Sequence, residues 1–292
     1  MSAVPYLLVV TSAFTHAYWN YLLKRNHGGQ LFVGLTKIVE VTMFAPVFVA
    51  VALPDLAAHA GIIAPLAVVG ASLTLLNYVM LAVAYQRGEL STVYPVSRGG
   101  VLLFLPVLAF GVFGERVDTV GGAAMALILA GIVVLQLGQL SRQAVAGLAA
   151  ALRSSRGTAP ALVAAAAGYT VWDKRSVQTV SPFTYFYTYT LIVAAAYAAY
   201  IARRYTWPDV RHEWKRNGSA ITQVGLFNTL TYVMVLFALR VGTASYVIAL
   251  RQLSIAIGVI LGWRLLDEQI APPKRVGVIL LIGGTALLAL AG

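Results

Sequence analysis

Hydrophobic residues in this chain fall in long runs separated by short polar gaps. The runs cover 4–25, 30–53, 62–86, 91–114, 118–138, 159–179, 182–203, 218–240, 244–266 and 272–290. Each is near the length of about 20 mostly apolar residues that a helix needs to cross a bilayer. None alternates with a period of two, as the strands of a membrane barrel would. The pattern predicts an all-α integral membrane protein with ten transmembrane helices. The sixth run is the least apolar, because Asp173-Lys174-Arg175 lies inside it. Basic loops are expected near 139–158 and 204–217.

One part of the pattern occurs twice. Tyr78-Val79-Met80 leads through Gly88, Ser91 and Val93 to Glu115, and Tyr232-Val233-Met234 leads through Gly242, Ser245 and Val247 to Glu268. The offset is 154 at the start (232 − 78) and 153 at the end (268 − 115). Trp19-Asn20 in the first run repeats as Trp172-Asp173 in the sixth, again at 153 (172 − 19). The chain therefore reads as two five-helix halves, 1–146 and 147–292. Five is odd, so the second half must enter the membrane from the opposite side. The expected architecture is a pair of inverted repeats around a central cavity, the arrangement in which transporters hold substrate near the midplane.

Composition agrees with the pattern. The chain is 60% hydrophobic and 11% charged, whereas an average soluble domain is about 25% charged. Cysteine is absent, which excludes disulfides and thiol chemistry. The net charge of +11 does not read as a nucleic-acid surface, since the basic residues sit between apolar runs, where they orient helices and meet anionic lipid heads. Gaps after odd-numbered runs hold fourteen Lys and Arg, and gaps after even-numbered runs hold four: Arg116, Lys174, Arg175 and Arg240. The odd gaps are expected to be cytoplasmic and both termini outside. The N-terminus has no basic start and no cleavage pattern, so the first run is expected to remain as a helix.

Polar groups within apolar helices are costly and need a reason. Asn77, Tyr78, Tyr94, Ser97, Asn228 and Tyr232 lie on the third, fourth and eighth helices. With Trp19 and Asn20 on the first, they place hydroxyl, amide and aromatic groups from both halves toward one space. Any single Ser, Thr or Asn could equally serve as packing glue between helices. Arg98 and Arg251 occupy the same repeat position, about eight residues into their helices. An arginine near a bilayer centre costs about 2.5–3.5 kcal/mol, so each calls for a partner or an anionic substrate group. The alternatives are snorkelling to the interface or an inter-helix lock through Glu40. Lys37 and Glu40 are three apart and share a face, which suits a local ion pair. Glu40 and Asp173 are also candidates for a substrate ammonium. Tyr185 and Tyr189, four apart on the seventh helix, would line an apolar wall. Glu115 and Glu268 read as acids that support the helix starting just after each. Pro95, Gly99, Gly100 and Pro106 are expected to interrupt the fourth helix.

No HExxH, GxSxG, Walker or GxGxxG signature is present, and four scattered His offer little to a metal. Neither an enzyme nor a cofactor or metal site is expected.

The duplicated set resembles the ten-helix, EamA-type branch of the drug/metabolite transporter superfamily. The likeness is carried by Trp19 and Trp172, by the turns running into Glu115-Arg116-Val117 and Glu268-Gln269-Ile270, and by the following Gly-rich helices. There Gly121, Gly122 and Gly131 match Gly277, Gly283 and Gly284. The resemblance implies an inner-membrane secondary transporter, usually an exporter of amino acids or related metabolites. The tyrosine-lined helices look most like those of aromatic amino acid exporters. On this reading the partners are an amino-acid substrate and membrane lipids, and the oligomeric state stays open, a monomer included. Export of drugs, exchange of sugar phosphates, and a receptor or scaffold without flux remain alternatives.

Overall fold

The computed structural model describes residues 3–87, 90–137, 143, 146, 158–269 and 271–291, and of 77–87, 90–98, 136 and 158–162 it describes the backbone alone. Among these residues all regular structure is helical. In chain order the helices are α1 (Ala3–Arg25), α2 (Gln30–Val47), a π-helical turn (Phe48–Ala52), α3 (Leu53–Arg87), α4 (Leu90–Phe113), α5 (Thr119–Gln136), α6 (Thr158–Thr179), α7 (Pro182–Arg204), α8 (Trp207–Val241), α9 (Ala244–Arg251), α10 (Leu253–Leu265) and α11 (Pro272–Leu288).

The described residues form nine helical stretches rather than ten separate helices, with Ala244–Leu265 taken as one across its turn at Gln252, because the second and third runs join. Pro46 lacks an N–H and its ring crowds the preceding turn. The helix answers by widening into the π turn at Phe48–Ala52. It then continues through the Ala-rich stretch after Pro54 and bends at His59, whose backbone leaves helical values (φ −126°, ψ 25°). A loop was expected there, but Asp55 in the first turn and the alanines suit helix.

The eighth helix also starts earlier than its apolar run. Residues expected as a basic loop form the first turns of α8. Its start is a capping box in which the Asp209 carboxylate accepts from the Thr206 backbone N–H at 2.8 Å and hydroxyl at 2.6 Å. These bonds hold the Asp209 carboxyl below its ordinary range. With 35 residues at about 1.5 Å each, α8 exceeds the roughly 30 Å of a bilayer core. The loop expected near 139–158 lies outside the described residues apart from 143, 146 and 158. The expected interruption of α4 is absent, and its backbone is helical from Leu90 to Phe113. The break falls instead in the repeat-equivalent helix, at Gln252, directly after Arg251.

Most helix packing crosses residue 146. α5 lies on α11, α1 on α8, α3 on α6, α2 on α8, α3 on α7, α1 on α10, α4 on α6 and α2 on α7. Small residues permit the closest of these approaches. A Cβ on Gly277 would come within 2.9 Å of the Gly131 carbonyl, and one on Gly284 within 2.9 Å of the Ala124 carbonyl. The interior is filled by Phe32, Leu105, Ile128, Ile132, Tyr185, Leu236 and Leu250, all fully buried. The outer faces are apolar, with Leu7, Phe104, Val107, Phe110 and Ile279 exposed. Surfaces of this kind suit lipid rather than water. Four stretches are long and apolar enough to cross a membrane: Gln30–Leu76, Pro182–Arg204, Trp207–Val241 and Ala244–Leu265.

Candidate functional site

The polar interior centres on Asp173. This carboxylate is 4% exposed, and a buried charge needs compensation. Tyr185 Oη donates to its Oδ1 at 2.8 Å, and Tyr232 Oη donates to its Oδ2 at 2.5 Å. The two tyrosines come from α7 and α8 and converge on α6. Tyr189 packs edge-on to Tyr185 with ring centroids 5.2 Å apart, as their spacing predicts, and its ring lies 6.2 Å from Tyr232. Phe186 tilts against Tyr232 at 5.7 Å. Trp172, the neighbour of Asp173, donates its indole N–H to the Leu66 carbonyl of α3 at 3.0 Å.

Arg251 completes this group from α9. Its guanidinium carbon lies 5.6 Å from the centroid of the Tyr232 ring, within cation–π range. The residue is 8% exposed, and its Nε has no hydrogen-bond partner among the described residues. Its charge acts on Asp173, but no salt bridge joins them. Asp173 and Arg251 thus bracket Tyr232, one holding the hydroxyl and the other resting on the ring. The helix break at Gln252 falls beside this cation. Arg251 does not form the lock through Glu40 considered above: the partners of Glu40 among the described side chains are Lys37 and Asn228.

Glu40 belongs to a second cluster between α2 and α8. It accepts from Lys37 Nζ at 3.0 Å on both oxygens and from Asn228 Nδ2 at 2.9 Å. The local ion pair suggested by the spacing is present, and the amide of Asn228 ties it to the facing helix. On α1, Trp19 stands edge-on to His16 at 4.9 Å, and its indole N–H is buried without a partner among the described residues. Asn20 is exposed and bonds the His16 carbonyl of its own helix at 2.7 Å, so it is not brought to the Asp173 group. The candidates Asn77, Tyr78, Tyr94, Ser97 and Arg98 lie outside the described side chains.

The duplicated acids behave otherwise than expected. Glu115 accepts from the Ala244 backbone N–H at 2.9 and 3.1 Å, and so caps α9 rather than its own next helix. Asp118 caps α5 instead, accepting from Gly121 N at 2.6 Å. Glu268 pairs with Lys24 of α1 at 2.5 Å. Sequence spacing could show the duplication of these acids. It could not show that each reaches a distant segment.

A chain of long apolar helices packed this way, with a polar interior and a lipid-suited exterior, is a multi-pass membrane protein. Residues 158–290 match the model of the EamA-like transporter family. No curated protein matches the chain by sequence. A solved structure titled only "Crystal structure of protein" is similar with a TM-score of 0.75, covering 99% of this chain and 98% of its own, at 16% identity. Likeness at that identity speaks for the fold alone.

Proposed function

We propose that this protein is a secondary transporter of the drug/metabolite type that exports amino acids, aromatic and other neutral ones included, across a bacterial-type inner membrane. The EamA-like match supports transport rather than an enzyme, since members of that family are transporters. The observation that carries the substrate reading is Arg251, a buried residue seated on a tyrosine ring, whose guanidinium Nε has no hydrogen-bond partner among the described residues. A substrate carboxylate would supply that anion through paired N–H donors. Tyr189, Tyr232 and Phe186 offer ring faces to an apolar side chain. Asp173, or the Glu40 cluster, would balance the ammonium. The tyrosine-lined helices resemble those of the aromatic amino acid exporter YddG.

In this reading the chain crosses the membrane ten times, the bent stretch 30–87 crossing twice. The halves 1–146 and 147–292 are inverted and alternate access about the axis between them. The packing supports this, because contacts come in exchanged pairs. α1 on α8 is matched by α3 on α6, α2 on α8 by α3 on α7, and α1 on α10 by α4 on α6.

The test is counterflow in proteoliposomes against a panel of amino acids and organic phosphates, with and without a proton gradient. Aromatic amino acids are expected to move. Arg251→Ala is expected to raise the half-saturating concentration about 10- to 100-fold, from a lost charge-assisted bond of about 1.5–3 kcal/mol. Folded protein that moves no amino acid would overturn the proposal, and exchange of phosphates alone would replace its substrate class.

A further inference from the structure

The first turns of α8 stand outside the apolar run that begins at residue 218. Residues 207–217 add about 16 Å of helix, and the rest of α8, through Val241, is long enough by itself for a bilayer core of about 30 Å. The projecting end is basic and aromatic. Trp207 is 74% exposed and Trp214 is 45% exposed. Arg203 and Arg204 end α7, and Arg211, Lys215 and Arg216 follow on α8, all of them exposed. None of these five has an acid partner among the described residues. The two acids of the segment are engaged otherwise: Asp209 in the cap of α8, and Glu213 accepting from Asn217 Nδ2 at 2.9 Å.

One face of α8 grades from charge to hydrocarbon. Helical spacing places Trp207, Arg211 and Lys215 in line with Ser219 and Thr222, and these in line with Leu226, Leu230 and Phe237. Leu230 and Phe237 are half-exposed. At the transition lies an open cleft of about 480 Å³, lined by Trp214, Lys215, Arg216, Ser219, Thr222 and Gln223. Gly218 also lines it: the Trp214 indole folds over this residue, and a Cβ there would stand 3.3 Å from the ring. Ser219 Oγ accepts from Gln223 Nε2 at 3.1 Å, which leaves the hydroxyl hydrogen available as a donor.

We propose that this face of α8 holds one anionic phospholipid. The phosphodiester sits in the cleft, where Lys215 and Arg216 supply charge and Ser219 a hydroxyl donor. The Trp214 ring lies at the headgroup level, Arg211 and the end of α7 add positive potential, and the acyl chains follow Leu226, Leu230 and Phe237. A zwitterionic lipid brings a cation of its own against these basic side chains, and a free phosphate lacks the chains, so charge and hydrocarbon select together. The capping box at Thr206 and Asp209 serves the site, because without helix at 207–217 Trp207, Arg211 and Lys215 would share no face.

Native mass spectrometry of the full-length protein in detergent, titrated with phosphatidylglycerol or phosphatidylcholine, tests this. One phosphatidylglycerol is expected to bind at least about 10-fold more tightly than phosphatidylcholine. Arg211→Gln, Lys215→Gln and Arg216→Gln together are expected to weaken it about 100-fold, at roughly fivefold for each basic residue removed. Arg264→Gln, Lys274→Gln and Arg275→Gln remove as many charges from the gap after the ninth run, and are expected to change it less than about 3-fold. Inorganic phosphate is not expected to displace the lipid. Equal affinity for the two lipids, an unchanged affinity in the first triple variant, or equal losses in both would overturn the assignment, as would displacement by phosphate. No flux is measured, so this result stands apart from the amino-acid reading.

Discussion

At the scale of single residues, the interior shows how little a side chain's type says about its job. Asp173 and Arg251 were both visible as costly groups inside apolar helices. Their relation was not, because it runs through a tyrosine on a third helix. Asp173 is held by two hydroxyls, and Arg251 rests on the ring of one of them. Tyr232 therefore has two separable functions. Tyr232→Phe keeps the ring beneath Arg251 and removes a donor to a buried carboxylate. The expected loss is about 1.5–3 kcal/mol of stability, the range for hydrogen bonds to charged groups, with transport retained. Thermal unfolding in detergent together with counterflow checks this. A variant of unchanged stability would show that the hydroxyl does not sustain Asp173. Asp173→Asn combined with Tyr232→Phe should cost less than the sum of the two, since the residues share one contact.

At the scale of helices, boundaries followed backbone chemistry more than hydropathy. α8 begins eleven residues before its apolar run because a capping box can start a helix in polar sequence (218 − 207). Runs two and three join because Pro46 and His59 bend the helix without ending it. The glycines of α5 and α11, by contrast, announced their role by recurrence. Gly131 and Gly284 are 153 apart (284 − 131), and each receives the backbone of the other helix. At Gly277 the neighbour is the Gly131 carbonyl at 2.9 Å, whereas a Cβ on Gly283 would meet only Leu127 at 3.7 Å. Gly277→Leu is expected to cost about 1–3 kcal/mol by overpacking, and Gly283→Leu much less. Unfolding midpoints of the two variants measure the difference. Equal losses would mean that the close approach of α5 and α11 is not what the glycines serve.

At the scale of the molecule, helices of one half bury their faces mainly on helices of the other. Neither half has a complete core of its own. Residues 1–146 and 147–292 expressed separately are expected to aggregate in detergent, and co-expressed to purify as one monodisperse complex. Size-exclusion chromatography checks this, and a monodisperse isolated half would refute the interdependence.

Length and apolarity were enough to determine a helical membrane protein, and the 153–154-residue offset displays a repeat in the sequence. These properties are local or periodic, and a linear chain displays them directly. The spacing of Tyr185 and Tyr189, and of Lys37 and Glu40, was legible for the same reason: each pair lies within one helical turn. Contacts between helices were not legible. Only the tertiary structure decided that Tyr232 stands between Asp173 and Arg251, or that Glu115 caps a helix far along the chain. Such contacts depend on which faces meet, and no spacing in the sequence records the distance between two helices that pack only after folding.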